Sequence, residues 1–147
     1  MTKLIASLIG LAFVVAGLAA DTATPAPKPL DPAAVKPLEA VLDKALAGYN
    51  AGAQATFFAD FAKSARPPAN DATWTRLIDG YYRAEFGRVL TKKLSQSQTQ
   101  PDADFGMLVY HTVTEKVRDA KLSANFVREN GALKIVQIRI EKVEPVK

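Results

Sequence analysis

The chain has 147 residues, a formal net charge of +4, one histidine and no cysteine. That length suits a single domain, and the missing cysteine excludes disulfides, thiolate nucleophiles and thiolate zinc sites. A lone histidine excludes a metal centre built on several imidazoles, and the absence of Lys/Arg runs interleaved with aromatics speaks against nucleic acid as a partner.

Met1-Thr2-Lys3 gives a short basic start, and residues 4 to 20, LIASLIGLAFVVAGLAA, carry no charge. Gly17 and Ala19 stand at the two positions a signal peptidase reads. Residues 1–20 therefore read as a secretory signal peptide cleaved near Ala19 and Ala20. The same 17 apolar residues reach the lower end of a membrane-spanning length, so a retained anchor is the alternative. The small-residue exit and the prolines beyond it favour cleavage, which places the protein outside the cytoplasm, periplasmic or secreted, with no membrane span. Loss of Lys3 with the signal lowers the formal charge to +3. Residues 21–31, with Pro25, Pro27 and Pro29, form a Pro-rich linker in extended conformation. The folded domain is expected over 32–143, with 144–147 as a tail.

Leu38, Val41, Leu42, Ala45, Leu46 and Tyr49 form one stripe of an amphipathic helix. Asp31-Pro32 is a start signal, and Pro37 disfavours helical geometry at Lys36, so the helix begins between Pro32 and Pro37. Asn50 and Gly52 suit a left-handed stop. A short second helix carries Phe57, Phe58 and Phe61 as core residues, and KSARPPAN is a loop. Asp71 caps a third helix with a stripe of Trp74, Leu77, Ile78, Tyr81 and Phe86, ended by Gly87; Tyr82 falls off that stripe.

Four strands follow: Val89 to Leu94, Phe105 to about Val117, Lys121 to Arg128 and Leu133 to Val143. The polar loop SQSQTQPDAD separates the first two. For the last hairpin, a two-residue Asn-Gly turn sets Leu122 opposite Arg139. A three-residue Glu129-Asn130-Gly131 loop sets Leu122 opposite Ile138 and Ala124 opposite Val136. The hydrophobic pattern favours the three-residue loop. One face then holds Leu122, Ala124, Val136, Ile138 and Ile140; the other holds Asn125, Gln137 and Arg139. Helices followed by strands give an α+β class with helices on one face of an antiparallel sheet.

The stretch YNAGAQATFFADFA, residues 49 to 62, resembles the first-helix region of the nuclear-transport-factor-2-like superfamily, the α+β roll also seen in ketosteroid isomerases and polyketide cyclases. Asn50-Ala51-Gly52 and Phe58-Ala59-Asp60 match its turn and helix-end motifs, while Ala53 and Phe61 replace two acids. The resemblance implies a cone-shaped roll, with three N-terminal helices packed on the concave face of a curved four-stranded sheet. It also implies a short strand after the second helix, which SARPPA is ill suited to supply. The isomerase tyrosine would fall on Ala45 and the carboxylate base near Ala65 or Arg66. A methyl group offers no oxyanion hydrogen bond, and a guanidinium accepts no proton at neutral pH.

No glycine-rich phosphate cradle occurs, and Asp102, Asp104 and Gln100 lack the glycine and distal glutamate of a calcium loop. No cofactor, metal or catalytic set is expected. Tyr49, Trp74, Tyr81 and Tyr82 line a small pocket or, as the favoured reading, fill the roll. His111 shares strand phase with Phe105, Met107 and Val109; it and Asn125 reach a cavity only if that phase slips by one. Val127, Leu133 and Ile135 are expected on the face opposite the helices, as an interface for a homodimer or another partner. Two functions follow: a non-catalytic binding module, or a small-ligand pocket protein or atypical enzyme using His111 or a pocket tyrosine.

Overall fold

A computed structural model describes residues 29–68, 72–96, 98–101 and 105–144. The expected signal peptide, most of the expected linker, the expected Asp71 cap, Asp102, Asp104 and most of the expected tail lie outside these residues.

Helix α1 runs Pro32–Ala51. Asp31 is extended, and its Oδ1 accepts the Ala33 N–H at 2.9 Å, with Pro32 at the first helical position. The helix passes through Pro37. That ring is exposed, and so is Ala33, whose carbonyl it frees to water. Of the predicted stripe, Leu38, Leu42, Ala45, Leu46 and Tyr49 are buried and Val41 is half-buried, while Val35, one turn before Leu38, is buried as well. At the other end Gly52 turns left-handed (φ 70°). The Gly52 N–H reaches Tyr49 O at 3.2 Å and the Ala53 N–H reaches Gly48 O at 2.8 Å, closing the turn.

Helix α2, Gln54–Phe58, is little more than one turn. Just beyond it the chain touches the sheet. The Ile135 N–H donates to Asp60 O (2.9 Å) and the Ala62 N–H to Ile135 O (2.8 Å), a single parallel bridge centred on Phe61. Helix α3 is a π-helical segment Trp74–Arg83 that continues into an α-helical turn Ala84–Phe86. The widened turns change which residues face inward. Trp74, Ile78 and Phe86 are buried and Tyr82 is half-buried, at steps of four, whereas Leu77 and Tyr81 are 45% and 51% exposed. The predicted stripe is thus corrected: Tyr82 takes the inward place expected for Tyr81.

Four antiparallel strands, β1 Val89–Leu94, β2 Phe105–Thr114, β3 Ala120–Glu129 and β4 Ala132–Lys142, pair in sequence order. The α+β class and the four-stranded antiparallel sheet agree with the sequence analysis. Strand β2 stops at Thr114, whose Oγ1 accepts the Val117 N–H at 3.1 Å to start the turn. The core lies between the helices and one sheet face, where Leu108, Tyr110, Leu122, Ala124 and Phe126 are buried.

The β3–β4 register differs from the expected one. The turn is the two-residue Asn130-Gly131, with φ of 51° and 80°, and Glu129 pairs with Ala132. That register holds up to Phe126↔Ile135. A bulge then takes up Val136, and beyond it Asn125 pairs with Gln137, Ala124 with Ile138 and Leu122 with Ile140. The bulge restores inward positions for Ile138 and Ile140 that a plain two-residue turn would lose. It also puts Val136 at the surface and Ile135 in the core, the reverse of the three-residue-loop register.

Candidate functional site

Tyr49 and Asn50 end α1 and both reach the start of the sheet. The Tyr49 hydroxyl donates to Gly87 O at 2.8 Å. Asn50 Nδ2 donates to Val89 O and the Val89 N–H donates to Asn50 Oδ1, each at 2.9 Å. Burial pushes the Tyr49 phenol up to about 12. Trp74 packs against Phe57 and Phe58 in edge-on geometry, ring centroids 5.5 and 6.0 Å away. Tyr82 lies between Tyr81 and Phe86, and burial raises its phenol.

These aromatics leave little room. Between Leu46, Tyr49, Phe57 and Ile78 on the helices and Ile138 and Ile140 on β4 lies a cavity of about 20 Å³, with Tyr82 at its side. That volume admits about one water molecule. Phe57, Ile78, Tyr82 and Ile138 also border an open groove of about 430 Å³. Its other walls include Phe58, Phe61, Pro67, Pro68 and Leu77, with Arg66 and Gln137 supplying polar groups. Of the six predicted pocket residues, Tyr49 and Tyr82 touch the small cavity and Tyr82 alone lines the groove.

His111 and Asn125 lie on the opposite sheet face. His111 is exposed, opposite Lys93 on one side and Lys121 on the other. Asn125 Nδ2 donates to Gln137 Oε1 at 3.2 Å. The strand phase read from sequence keeps both away from the core.

The predicted interface residues separate. Val127 is on the far face, half-buried, opposite Phe105 and Lys134. Ile135 is fully buried and Leu133 is half-buried against the core, because the two-residue turn reverses their side. The two isomerase positions hold no matching chemistry: Ala45 is buried in the core, and Arg66 Nη2 donates to Ala59 O at 2.8 Å.

One group of polar side chains escaped the sequence analysis. Lys92 Nζ is 3.0 Å from Asp43 Oδ1, 3.8 Å from Glu39 Oε1 and 4.6 Å above the Tyr110 ring. The Tyr110 hydroxyl donates to Glu39 Oε1 at 2.9 Å; burial, then Glu39, raises that phenol. The four groups satisfy one another and hold α1 on the sheet. The available signal was Glu39 and Asp43 one helical turn apart, opposite an inward lysine. Among the described residues, no group of three or more His, Cys, Asp or Glu side chains could hold a metal ion. No helix among them is long and apolar enough to cross a membrane. No protein-family model matches the chain, and no curated protein matches it.

Proposed function

We propose that this chain is an extracytoplasmic domain of nuclear-transport-factor-2-like type: a cone-shaped roll with three helices on the concave face of its sheet, acting as a non-catalytic binding module. The order of helices and strands supports that fold, as does the left-handed stop at Asn50-Ala51-Gly52. Asp60 of the Phe-Ala-Asp segment joins Lys44 at 2.8 Å and Lys134 at 3.6 Å, tying α1 and β4 to the end of α2.

The observation that carries the function is the filled interior. With about 20 Å³ left between helices and sheet, recognition belongs to the surface. On the far sheet face Phe105 sits opposite Val127 and is 70% exposed, with half-buried Met107 on the same face. A homodimer would pair these patches about a two-fold axis. Native mass spectrometry of the protein produced from its full sequence should give a dimer mass. Val127→Lys should give a monomer with an unchanged far-ultraviolet circular dichroism spectrum. A parent protein that is monomeric at micromolar concentration overturns self-association.

The groove of about 430 Å³ favours a second reading, a small-molecule site. An enzyme of that kind would rely on Tyr82, since His111 is on the other face of the sheet. A reproducible small adduct on the monomer mass would select it.

A further inference from the structure

Helix α3 has an α-helical sequence on a π-helical backbone. Trp74, Leu77, Ile78 and Tyr81 fall at the 3.6-residue spacing, yet Trp74–Arg83 bonds i→i+5 and leaves Leu77 and Tyr81 about half exposed. Gly80 stands inside this segment. A β-carbon there would lie 3.1 Å from the carbonyl oxygen of Thr75, five residues back, the acceptor position of a π turn. In an α-helix alanine is favoured over glycine at an interior position. Glycine at 80 therefore weakens the register that suits the apolar stripe and accommodates the one observed.

We propose that α3 is a two-register element. The π register holds open the groove between residues 64–68, α3 and β4, and the α register turns Leu77 and Tyr81 toward the sheet and fills it. Leu77 is on the groove wall next to Ile78, and Ile78 also lines the cavity of about 20 Å³. A narrower turn swings Leu77 and Tyr81 inward over the groove and carries Tyr82 outward. The C-terminal end is fixed in α geometry. Ala84–Phe86 is already α-helical, and Gly87 beyond it takes a positive φ of 70° with its carbonyl held by Tyr49. The register thus decides whether the groove exists, and an occupant of the groove draws the population toward π.

The chain has no cysteine, so a single introduced thiol reports on its own surroundings. In the full-length protein, Leu77→Cys should react quickly with a maleimide, as should Leu90→Cys on exposed β1. Adding Gly80→Ala should shift the π-to-α ratio about fivefold toward α, the factor expected from the alanine preference of an α-helix, and so measurably slow labelling at position 77 while leaving position 90 unchanged. Equal labelling at 77 with and without Gly80→Ala, in folded protein, overturns the proposal. So does a thiol at 77 that is already protected in the Gly80 parent. Should Gly80→Ala not fold, hydrogen exchange of the unmodified chain decides. Amides 79–84 should exchange at least about tenfold faster than those of Leu42–Tyr49, and equal protection overturns the two-register element.

Discussion

Gly48, Tyr49 and Asn50 are neighbours in sequence and act on three different partners. Tyr49 and Asn50 hold the backbone of Gly87 and Val89, so the end of α1 sets where the sheet begins. Gly48 faces α2 instead. A β-carbon at 48 would lie 2.9 Å from Phe57 Cα and from the Thr56 carbonyl carbon, and would be closer still to the Phe57 amide nitrogen. All three are backbone atoms that cannot swing aside. Alanine gains about 1 kcal/mol of helix propensity there, but the clash costs about 1–3 kcal/mol or more. With the closest approach far under contact distance the clash lies at the upper end of that range, so Gly48→Ala should destabilise the protein by roughly 2 kcal/mol, read as a lower urea midpoint with an unchanged slope. A rise in the midpoint would mean that α2 can move away from α1. None of this contact is visible in the sequence, where Gly48 reads only as a residue near a helix end.

At the scale of the element, the β3–β4 hairpin separates two registers by one residue. Ile135 is fully buried opposite Phe126, whereas Val136 occupies the bulge at the surface. Ile135→Lys should abolish folding, because an unpaired charge would enter the core. Val136→Lys should change stability by no more than about 0.5 kcal/mol, as surface substitutions do. Thermal melts of the two variants check this directly, and the opposite ranking would restore the three-residue loop. The strands and their facing sets, Leu122 and Ala124 with Ile138 and Ile140, were legible from alternation alone. The turn was not, because a tight Asn-Gly turn plus a bulge and a longer loop without one place the same apolar residues inward near the chain end. They differ only near the tip, where Leu133 and Ile135 change sides. Helix α1 was legible because its caps and its stripe agree. Helix α3 was misread in detail because periodicity assumes 3.6 residues per turn, and the segment Trp74–Arg83 does not have that geometry.

For the whole molecule, titration at both ends of the pH scale follows from where the phenols and carboxylates sit. The phenols of Tyr49, Tyr82 and Tyr110 are raised from 10.0, chiefly by burial. A raised phenol binds its proton more tightly in the folded chain, so its contribution is whole below pH 10 and is lost as pH climbs toward the folded value. Asp60, Glu115 and Glu141 are lowered, first by hydrogen bonds from Lys44, the Arg88 backbone and Lys121 respectively. Their contributions are whole above the ordinary carboxylate range and are lost as pH falls through it. The urea midpoint should hold level between about pH 5 and pH 9.5 and decline on both sides. Tyr49→Phe should make the alkaline decline shallower and leave the acid one unchanged; an alkaline limb of the same steepness would mean that Tyr49 does not titrate in that range. The candidate site was legible only as a set of aromatics. Tyr49 and Trp74 are buried as the filling reading required, but which tyrosine of Tyr81-Tyr82 faces inward depends on helix geometry that composition does not encode.

Strand β4 forms one border of the sheet, and an unshielded border is where a foreign strand can add to a fold. Here the first part of that border is occupied by Phe61 at Ile135, and the next residue is the Val136 bulge, which breaks the regular spacing of donors and acceptors. The remainder carries Arg139, Glu141 and Lys142, engaged respectively with Glu141, Lys121 and Glu85. A second chain laid along β4 would meet a kink first and then charged side chains. The bulge that corrects the hairpin register therefore also guards the protein against growing into fibrous aggregates from its last strand.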